Sequence, residues 1–365
     1  MKIIASFFGM ISFLSGTTTN ISAQTISNDS VKFDYSKIYA LCLDANVKPV
    51  LALIDYDGTK KISDRNVTFK TDFENRFKYV EDKSIYLSEN KPDTDELLKI
   101  FRSYWRMSLL DVGKNNDAFL ITNLTDFLNK NHLPEKDKLV IGDSIDIYLK
   151  RYIESKDMHT TGFGKTGRLF DLLVWKTERD TVYSFTTHKE KISSRVILMD
   201  NFVTLGWEEY ATLQKYYPGG WAKPDALYCV QKAYDLNSEN FLISYLAHES
   251  RHFSDYKIFP KLTSPDLEYR AKLTELSMAQ KTLYQLIKFF TDNANYNSDN
   301  GHSIANYCVI RDLSKKLFKS EFENDLNKWE NISVKKINKA AYRILQSNTK
   351  ALKHKGSDVQ KFIKP

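Results

Sequence analysis

Apolar side chains recur at helical spacing through the first half of the chain. Within residues 93–110, after an Asp-Thr-Asp sequence that favours a helix start, the large apolar residues on one face are Leu97, Leu98, Phe101, Tyr104 and Trp105. Residues 116–128 and 143–153 show the same three- and four-residue spacing. Such stripes are typical of helices that bury one face. The pattern therefore predicts a mostly helical region from about residue 31 to residue 156.

The pattern changes near residue 159. Residues 160–167 are rich in Thr and Gly, which predicts a linker or turn. The β-rich runs that come next are residues 168–176, 181–187 and 195–205. The sequence Glu178-Arg179-Asp180 is short enough to close a hairpin between the first two runs. An antiparallel meander is therefore expected.

Helical patterns return after the meander. Residues 207–217 predict one helix, which a Pro-Gly-Gly sequence interrupts. Asn237 or Ser238 can cap the next helix, because each carries a side-chain oxygen that accepts a backbone N–H. That helix is expected over residues 241–256 and ends before Pro260. These elements predict an α+β fold, predominantly helical, with a small antiparallel sheet.

Composition and charge narrow the functional classes. Among the 365 residues, 53 basic and 46 acidic side chains give a net charge of +7, but the two signs are well mixed. No block of five or more like charges stands out, so a nucleic-acid-binding arm is not expected. The three cysteines are too few and too scattered for a disulfide framework or a cysteine zinc site.

The N-terminus has the pattern of a secretory signal peptide. Lys2 precedes about a dozen mostly apolar residues, and a polar stretch then ends in Ile21-Ser22-Ala23. The apolar run is too short to span a bilayer, which requires about 20 residues. The pattern predicts cleavage after Ala23 and export of the mature chain.

The predicted helix over residues 241–256 contains the sequence His248-Glu249-Ser250-Arg251-His252, an H-E-x-x-H motif. Residues four apart share a helix face, so both imidazoles can reach one metal ion. Glu249 lies one residue beyond the first imidazole, beside the metal rather than on it. It can therefore accept a proton from an activated water. The alternative is two helical histidines in ordinary packing.

With this motif the chain resembles the zincin metallopeptidases. The resemblance covers about residues 165–320, and only the pentapeptide is highly specific. It implies a zincin-like catalytic domain in which an edge strand of a small sheet binds extended peptide above the H-E-x-x-H helix. The run at residues 195–205 is the expected edge strand.

The third metal ligand separates the zincin subclasses. The metzincin pattern requires Gly and then His or Asp at positions that Asp255 and Ile258 occupy, so that subclass is excluded. The resemblance to gluzincins implies a glutamate from the following helix. Glu268, in an E-x-x-A sequence, fits this role best. Glu275, two turns later on the same face, is the alternative, either as the ligand or as an acceptor behind a ligand.

Zincins also place a His or Tyr beside the metal to stabilise the oxyanion. His302 follows the predicted Glu268 helix and is the candidate, while an ordinary polar residue at a helix start is the alternative. Asp255 can either orient a ligand imidazole or pair with Arg251.

The sequence thus predicts an exported zinc metallopeptidase. Its expected divisions are a signal peptide at residues 1–23, a mostly helical region at 24–160 and a zincin-like catalytic region at 161–365. The expected site has His248, His252 and Glu268 as Zn²⁺ ligands, Glu249 as general base and His302 as a second catalytic residue.

The expected partner is a peptide or protein substrate in a secreted or periplasmic location. Neither nucleic acid nor an integral membrane segment in the mature chain is expected. Two alternatives remain open. One is an exported interaction or substrate-binding protein whose H-E-x-x-H is accidental or non-catalytic. The other is a zinc amidase that acts on cell-wall amides.

Overall fold

The computed structural model describes residues 31–56, 61–86, 92–131, 145–187, 190–223, 225–298 and 300–364. The expected signal peptide, residues 1–23, lies outside the described residues. Over the described ranges the chain is an α+β protein, mainly helical, with one small five-stranded sheet. The expected fold class is confirmed at this level.

The helices alternate with strands only in the middle of the chain. The helices are α1 (Tyr35–Leu43), α2 (Lys48–Leu53), α3 (Asp64–Phe77), α4 (Pro92–Leu110), α5 (Asp117–Asn131), α6 (Ile145–Glu154), α7 (Trp207–Ala211), α8 (His248–Ile258), α9 (Ser264–Met278), α10 (Leu283–Asp292), α11 (Gly301–Leu317), α12 (Leu326–Glu330) and α13 (Val334–Lys355). The strands are β1 (Phe163–Thr166), β2 (Leu169–Thr187), β3 (Glu190–Leu205), β4 (Gly220–Ala222) and β5 (Leu227–Val230). A π-helical segment, Asn240–Ala247, runs directly into α8.

The helices expected in the first half are present. The apolar stripe predicted for residues 93–110 is buried along α4. α5 and α6 correspond to the next two predicted runs. The helix predicted for residues 207–217 is much shorter, because Leu213 and Gln214 adopt positive φ values of 51° and 68° and end it.

The chain forms two compact units, and strands β2 and β3 each contribute residues to both. The first unit contains the described residues up to Thr177 and Asp200–Pro218, and the second contains Glu178–Met199 and the chain from Gly219 onward. The first segment of the first unit ends at Thr177. The division expected at residue 160 stays a prediction. The candidate metal ligands all lie in the second unit.

The sheet is mixed, with strand order β1-β2-β3-β5-β4. β3 pairs in parallel with β5, for example Val196 with Leu227, while β4 pairs antiparallel with β5. The expectation of a wholly antiparallel sheet is therefore wrong. The chain between β3 and β5 passes through α7 and β4, which makes it long enough for the crossover that a parallel pair requires.

Three local predictions about the sheet are also wrong. Glu178-Arg179-Asp180 lies inside the continuous strand β2 and closes no hairpin, and Asp180 pairs with Arg195 of β3 at 2.7 Å on an exposed face. The run at residues 195–205 belongs to β3, an interior strand, and β4 is the edge strand at that end of the sheet. The segment expected as a linker contains β1, which pairs antiparallel with the start of β2.

Two apolar layers hold the second unit together. On one side, residues of β3 and β5 pack against the π-helical segment through Leu198, Cys229 and Phe241. On the other side, α9, α10, α11 and α13 share a core built largely from aliphatic side chains. No helix among the described residues is both long enough and apolar enough to cross a membrane.

Candidate metal site

The helix that carries the H-E-x-x-H motif begins where the capping residues predict. The Ser238 hydroxyl accepts a hydrogen bond from Phe241 N at 3.2 Å, and the helical segment then continues to Ile258, before Pro260. Phe241 and Tyr245 are buried among residues of β3 and β5. This packing fixes the helix against the sheet and turns the motif to its other side.

The second helix of the site is α9, which starts at Ser264. Pro265 favours this start because its fixed φ suits a first helical turn and its missing N–H has no helical partner there. Arg270 Nε and Nη2 donate to Asp255 Oδ2 and Oδ1 at 2.7 and 2.8 Å, and both side chains are buried. Asp255 therefore fastens α9 to α8, a role that the sequence analysis did not assign to it.

α9 brings Glu268 to the two imidazoles. His252 Nε2 lies 3.0 Å from His248 Nε2 and 3.2 Å from Glu268 Oε1, and His248 Nε2 lies 3.4 Å from Glu268 Oε2. All three side chains are buried. Ligands on a tetrahedral zinc ion, at bond lengths near 2 Å, are separated by about 3.3 Å. The group therefore has the dimensions of a metal site and can hold a metal ion.

Glu275 lies behind His248 rather than in the ligand group. Its Oε1 is 2.6 Å from His248 Nδ1, and it is also buried. A carboxylate at Nδ1 holds the Nδ1–H tautomer, which leaves Nε2 with a lone pair to face a metal. The sequence left open which of the two glutamates is the third ligand. The geometry places Glu268 among the candidate ligands and Glu275 behind His248, as the partner of its Nδ1.

The electrostatics of the group favour a cation. Although burial opposes the charged imidazole, the carboxylates of Glu275 and Glu268 raise the pKa of His248 to about 10. Burial likewise opposes ionisation of Glu268, but His252, His248 and His302 hold the pKa of this carboxyl well below its usual range. Carboxylates that stabilise a positive charge among the imidazoles also stabilise a divalent ion there.

Glu249 has the surroundings of a general base. It is 7% exposed, and burial raises the pKa of its carboxyl, an effect that the neighbouring histidines only partly offset. Glu249 Oε2 is buried and accepts no hydrogen bond from any residue that the structure describes. Buried carboxylate oxygens without donors are what a metal and its water require. The residues present therefore fit a bound metal ion.

His302 lies beside the candidate ligands. α11 starts at Gly301, and the Asn300 side chain accepts from His302 N at 2.8 Å. A Cβ at Gly301 would lie 2.5 Å from Ser264 Oγ, so the absence of a side chain lets α11 approach the start of α9. His302 Nδ1 then comes 2.9 Å from Glu268 Oε2, without the alignment of a hydrogen bond. Its role in oxyanion stabilisation stays a prediction.

Sequence reasoning missed the charge that balances Glu268. Lys272 is 2% exposed, and its ammonium lies 3.9 Å from Glu268 Oε2 and 4.6 Å from the centre of the Phe290 ring. The sequence showed only that a basic residue follows Glu268 by one helical turn. That spacing was the available signal, since residues four apart on a helix are neighbours.

No family model matches this chain, and no match was found among curated proteins or solved structures. The function of the chain is therefore inferred from the site itself.

Proposed function

We propose that the protein is an exported, zinc-dependent metallopeptidase of the gluzincin type. One observation carries the proposal. The H-E-x-x-H helix and α9 bring His248, His252 and Glu268 to mutual distances of 3.0–3.4 Å in a buried group, with the carboxylate of Glu249 next to it. Ordinary packing of two helical histidines does not require two buried acids beside them.

The donor set favours zinc. Two imidazoles and one carboxylate are the protein ligands of many catalytic zinc sites, which keep a fourth position for water or substrate. Magnesium and calcium prefer an all-oxygen shell, which this group does not offer. A bound zinc ion supplies Lewis acidity to the scissile carbonyl and lowers the pKa of the attacking water.

The side chains of this chain have distinct roles in the proposed reaction. Glu249 accepts the proton of the attacking water and passes it to the leaving amine. Glu275 fixes the tautomer of His248, and Lys272 offsets the charge of Glu268. His302, 22% exposed at its side chain and 2.9 Å from Glu268 Oε2, is assigned the stabilisation of the oxyanion that forms on the substrate.

Export is part of the proposal and is supported by the N-terminal sequence. A basic residue, a short apolar run and a small residue at position 23 form the expected pattern.

The direct test is a cleavage profile on a peptide library derived from a whole proteome. We expect the wild-type mature protein to produce new termini. The Glu249→Gln variant and zinc-stripped protein should produce none, and zinc should restore activity only to the wild type. Equal cleavage by wild type and Glu249→Gln would contradict the mechanism. Hydrolysis of cell-wall amides without any peptide cleavage would replace the peptidase by a zinc amidase.

A further inference from the structure

The last long helix, α13, exposes a face on which every charged side chain is cationic. Its 22 residues contain no Asp or Glu. The exposed cations that define what we call the basic stripe are Lys335, Lys336, Lys339, Arg343, Lys350 and Lys353. Because successive helical residues are turned by about 100°, these side chains fall within a sector of about 100°. These basic residues are scattered along the sequence, and they lie on one side only because the segment is helical.

The opposite side of α13 is fixed to the rest of the second unit. Its buried residues include Ile337, Leu345 and Leu352. Arg270 Nη1 donates to Asn348 Oδ1 at 2.7 Å, so α13 is tied to α9, the helix that carries Glu268. These contacts fix the rotation of α13 about its own axis, so the basic stripe faces outward.

Neighbouring acids do not neutralise this face. Among the described residues, none of the six cations of the basic stripe forms an ion pair. The acid that follows α13, Asp358, pairs with Lys261 at 3.0 Å instead. Ordinary solvated helix faces mix signs, because opposite charges three or four residues apart stabilise each other. The basic stripe has no such pairs among the described residues, so an anion from outside the chain can stabilise its charges.

We propose that the basic stripe docks the second unit onto an anionic phospholipid surface. The stripe lies along a helix about 33 Å long, a linear array that a flat surface can contact along its whole length. Clusters of four to eight basic residues on an amphipathic helix are typical of binding to acidic lipids. No large apolar side chain of α13 is exposed, so the contact is electrostatic and reversible rather than inserted.

The composition of the stripe favours lipid over nucleic acid. Five of its six cations are lysines, which act as compact point charges, whereas phosphate recognition with fixed geometry favours arginine. Proteins that bind single-stranded nucleic acid also commonly expose aromatic rings on which bases stack, whereas Tyr342, the single Phe, Tyr or Trp residue of α13, is partly buried. An anionic membrane needs only charge density on one face.

The test is co-sedimentation of the full mature chain with vesicles at low ionic strength. One set of vesicles contains phosphatidylcholine alone and the other contains phosphatidylglycerol as well. We expect binding only to the anionic vesicles and its loss at high salt. Changing Lys335, Lys339, Lys350 and Lys353 to Gln should weaken binding on the order of a thousandfold.

The matched control removes the same charge elsewhere in the same unit. Lys281, Lys288, Lys315 and Lys316 are exposed on α10, α11 and the turn before α10, and their change to Gln should leave vesicle binding nearly unchanged. Thermal unfolding of both variants shows that they fold. Equal losses in both would overturn the proposal, because net charge alone would then explain binding. The proposal would also be overturned if the stripe variant lost binding to single-stranded DNA but bound anionic vesicles as well as the wild type does.

This inference does not depend on the proposed hydrolysis. Glu249→Gln protein should bind anionic vesicles as the wild type does, and the stripe variant should keep its activity on soluble peptides. A failure of one proposal is therefore distinguishable from a failure of the other.

Discussion

At the scale of single residues, burial suits Glu249 to its proposed role as proton acceptor. The carboxyl has a raised pKa and a buried oxygen without a donor, which suits a proton acceptor. Glu249→Gln keeps the shape but cannot accept the proton, so kcat should fall by about two orders of magnitude or more while zinc stays bound. Steady-state kinetics with zinc analysis of the same sample checks this. The control is Glu330→Gln, a change at an exposed glutamate of the same unit, which should leave kcat and the zinc content unchanged.

The two glutamates of α9 should differ in their effect on zinc affinity. Glu268→Ala removes a candidate ligand and should weaken zinc binding severely. Glu275→Ala removes the partner of His248 Nδ1 and should weaken it by only about tenfold to a hundredfold. Competition with a zinc chelator gives both dissociation constants. If Glu275→Ala loses the metal and Glu268→Ala keeps it, the ligand assignment is wrong.

At the scale of elements, local sequence signals predicted the two helices of the site. They did not predict which strands pair over long distances in the sequence. The spacing of His248 and His252 is encoded within a few residues, and the helix that carries Glu268 follows it as expected. The parallel pairing of β3 with β5 depends on how a long connection returns, which no local pattern specifies. The contact of Arg270 with Asp255 likewise depends on how α8 and α9 cross.

The Asp255–Arg270 pair should be important for the packing of α8 on α9. Asp255→Asn leaves a buried guanidinium without its counter-charge, which typically costs about 3–5 kcal/mol. Urea denaturation should show a free energy of unfolding lower by this amount. The control is Asp180→Asn, which removes the partner of Arg195 on an exposed face and should change stability little. Equal effects from the two substitutions would show that the buried pair has no special role.

At the scale of the whole molecule, a buried acid in the first unit should make stability depend on pH. Burial, with a smaller contribution from Asp171, raises the pKa of Glu208 from 4.5 to about 8. The folded state therefore holds a proton that the unfolded chain releases. This stabilisation is fully present below pH 4.5 and is lost as the pH rises through about 8.

Glu208→Gln should remove this dependence. Across the window the wild type should lose on the order of 5 kcal/mol in its free energy of unfolding, and the variant should lose much less. Urea denaturation at a series of pH values between 4.5 and 8 measures both. Parallel curves for the two proteins would show that Glu208 is not the source of the slope.

Zinc content is the most direct test of the central claim, that the buried histidines and glutamate form a metal centre. Purified mature protein, dialysed against metal-free buffer, is analysed by elemental mass spectrometry beside His248→Ala. We expect close to one zinc ion per wild-type chain, almost none in the variant, and a lower melting temperature for the variant, because bound metal stabilises the folded state. Folded wild-type protein that contains no zinc and takes up none when it is added would contradict the account.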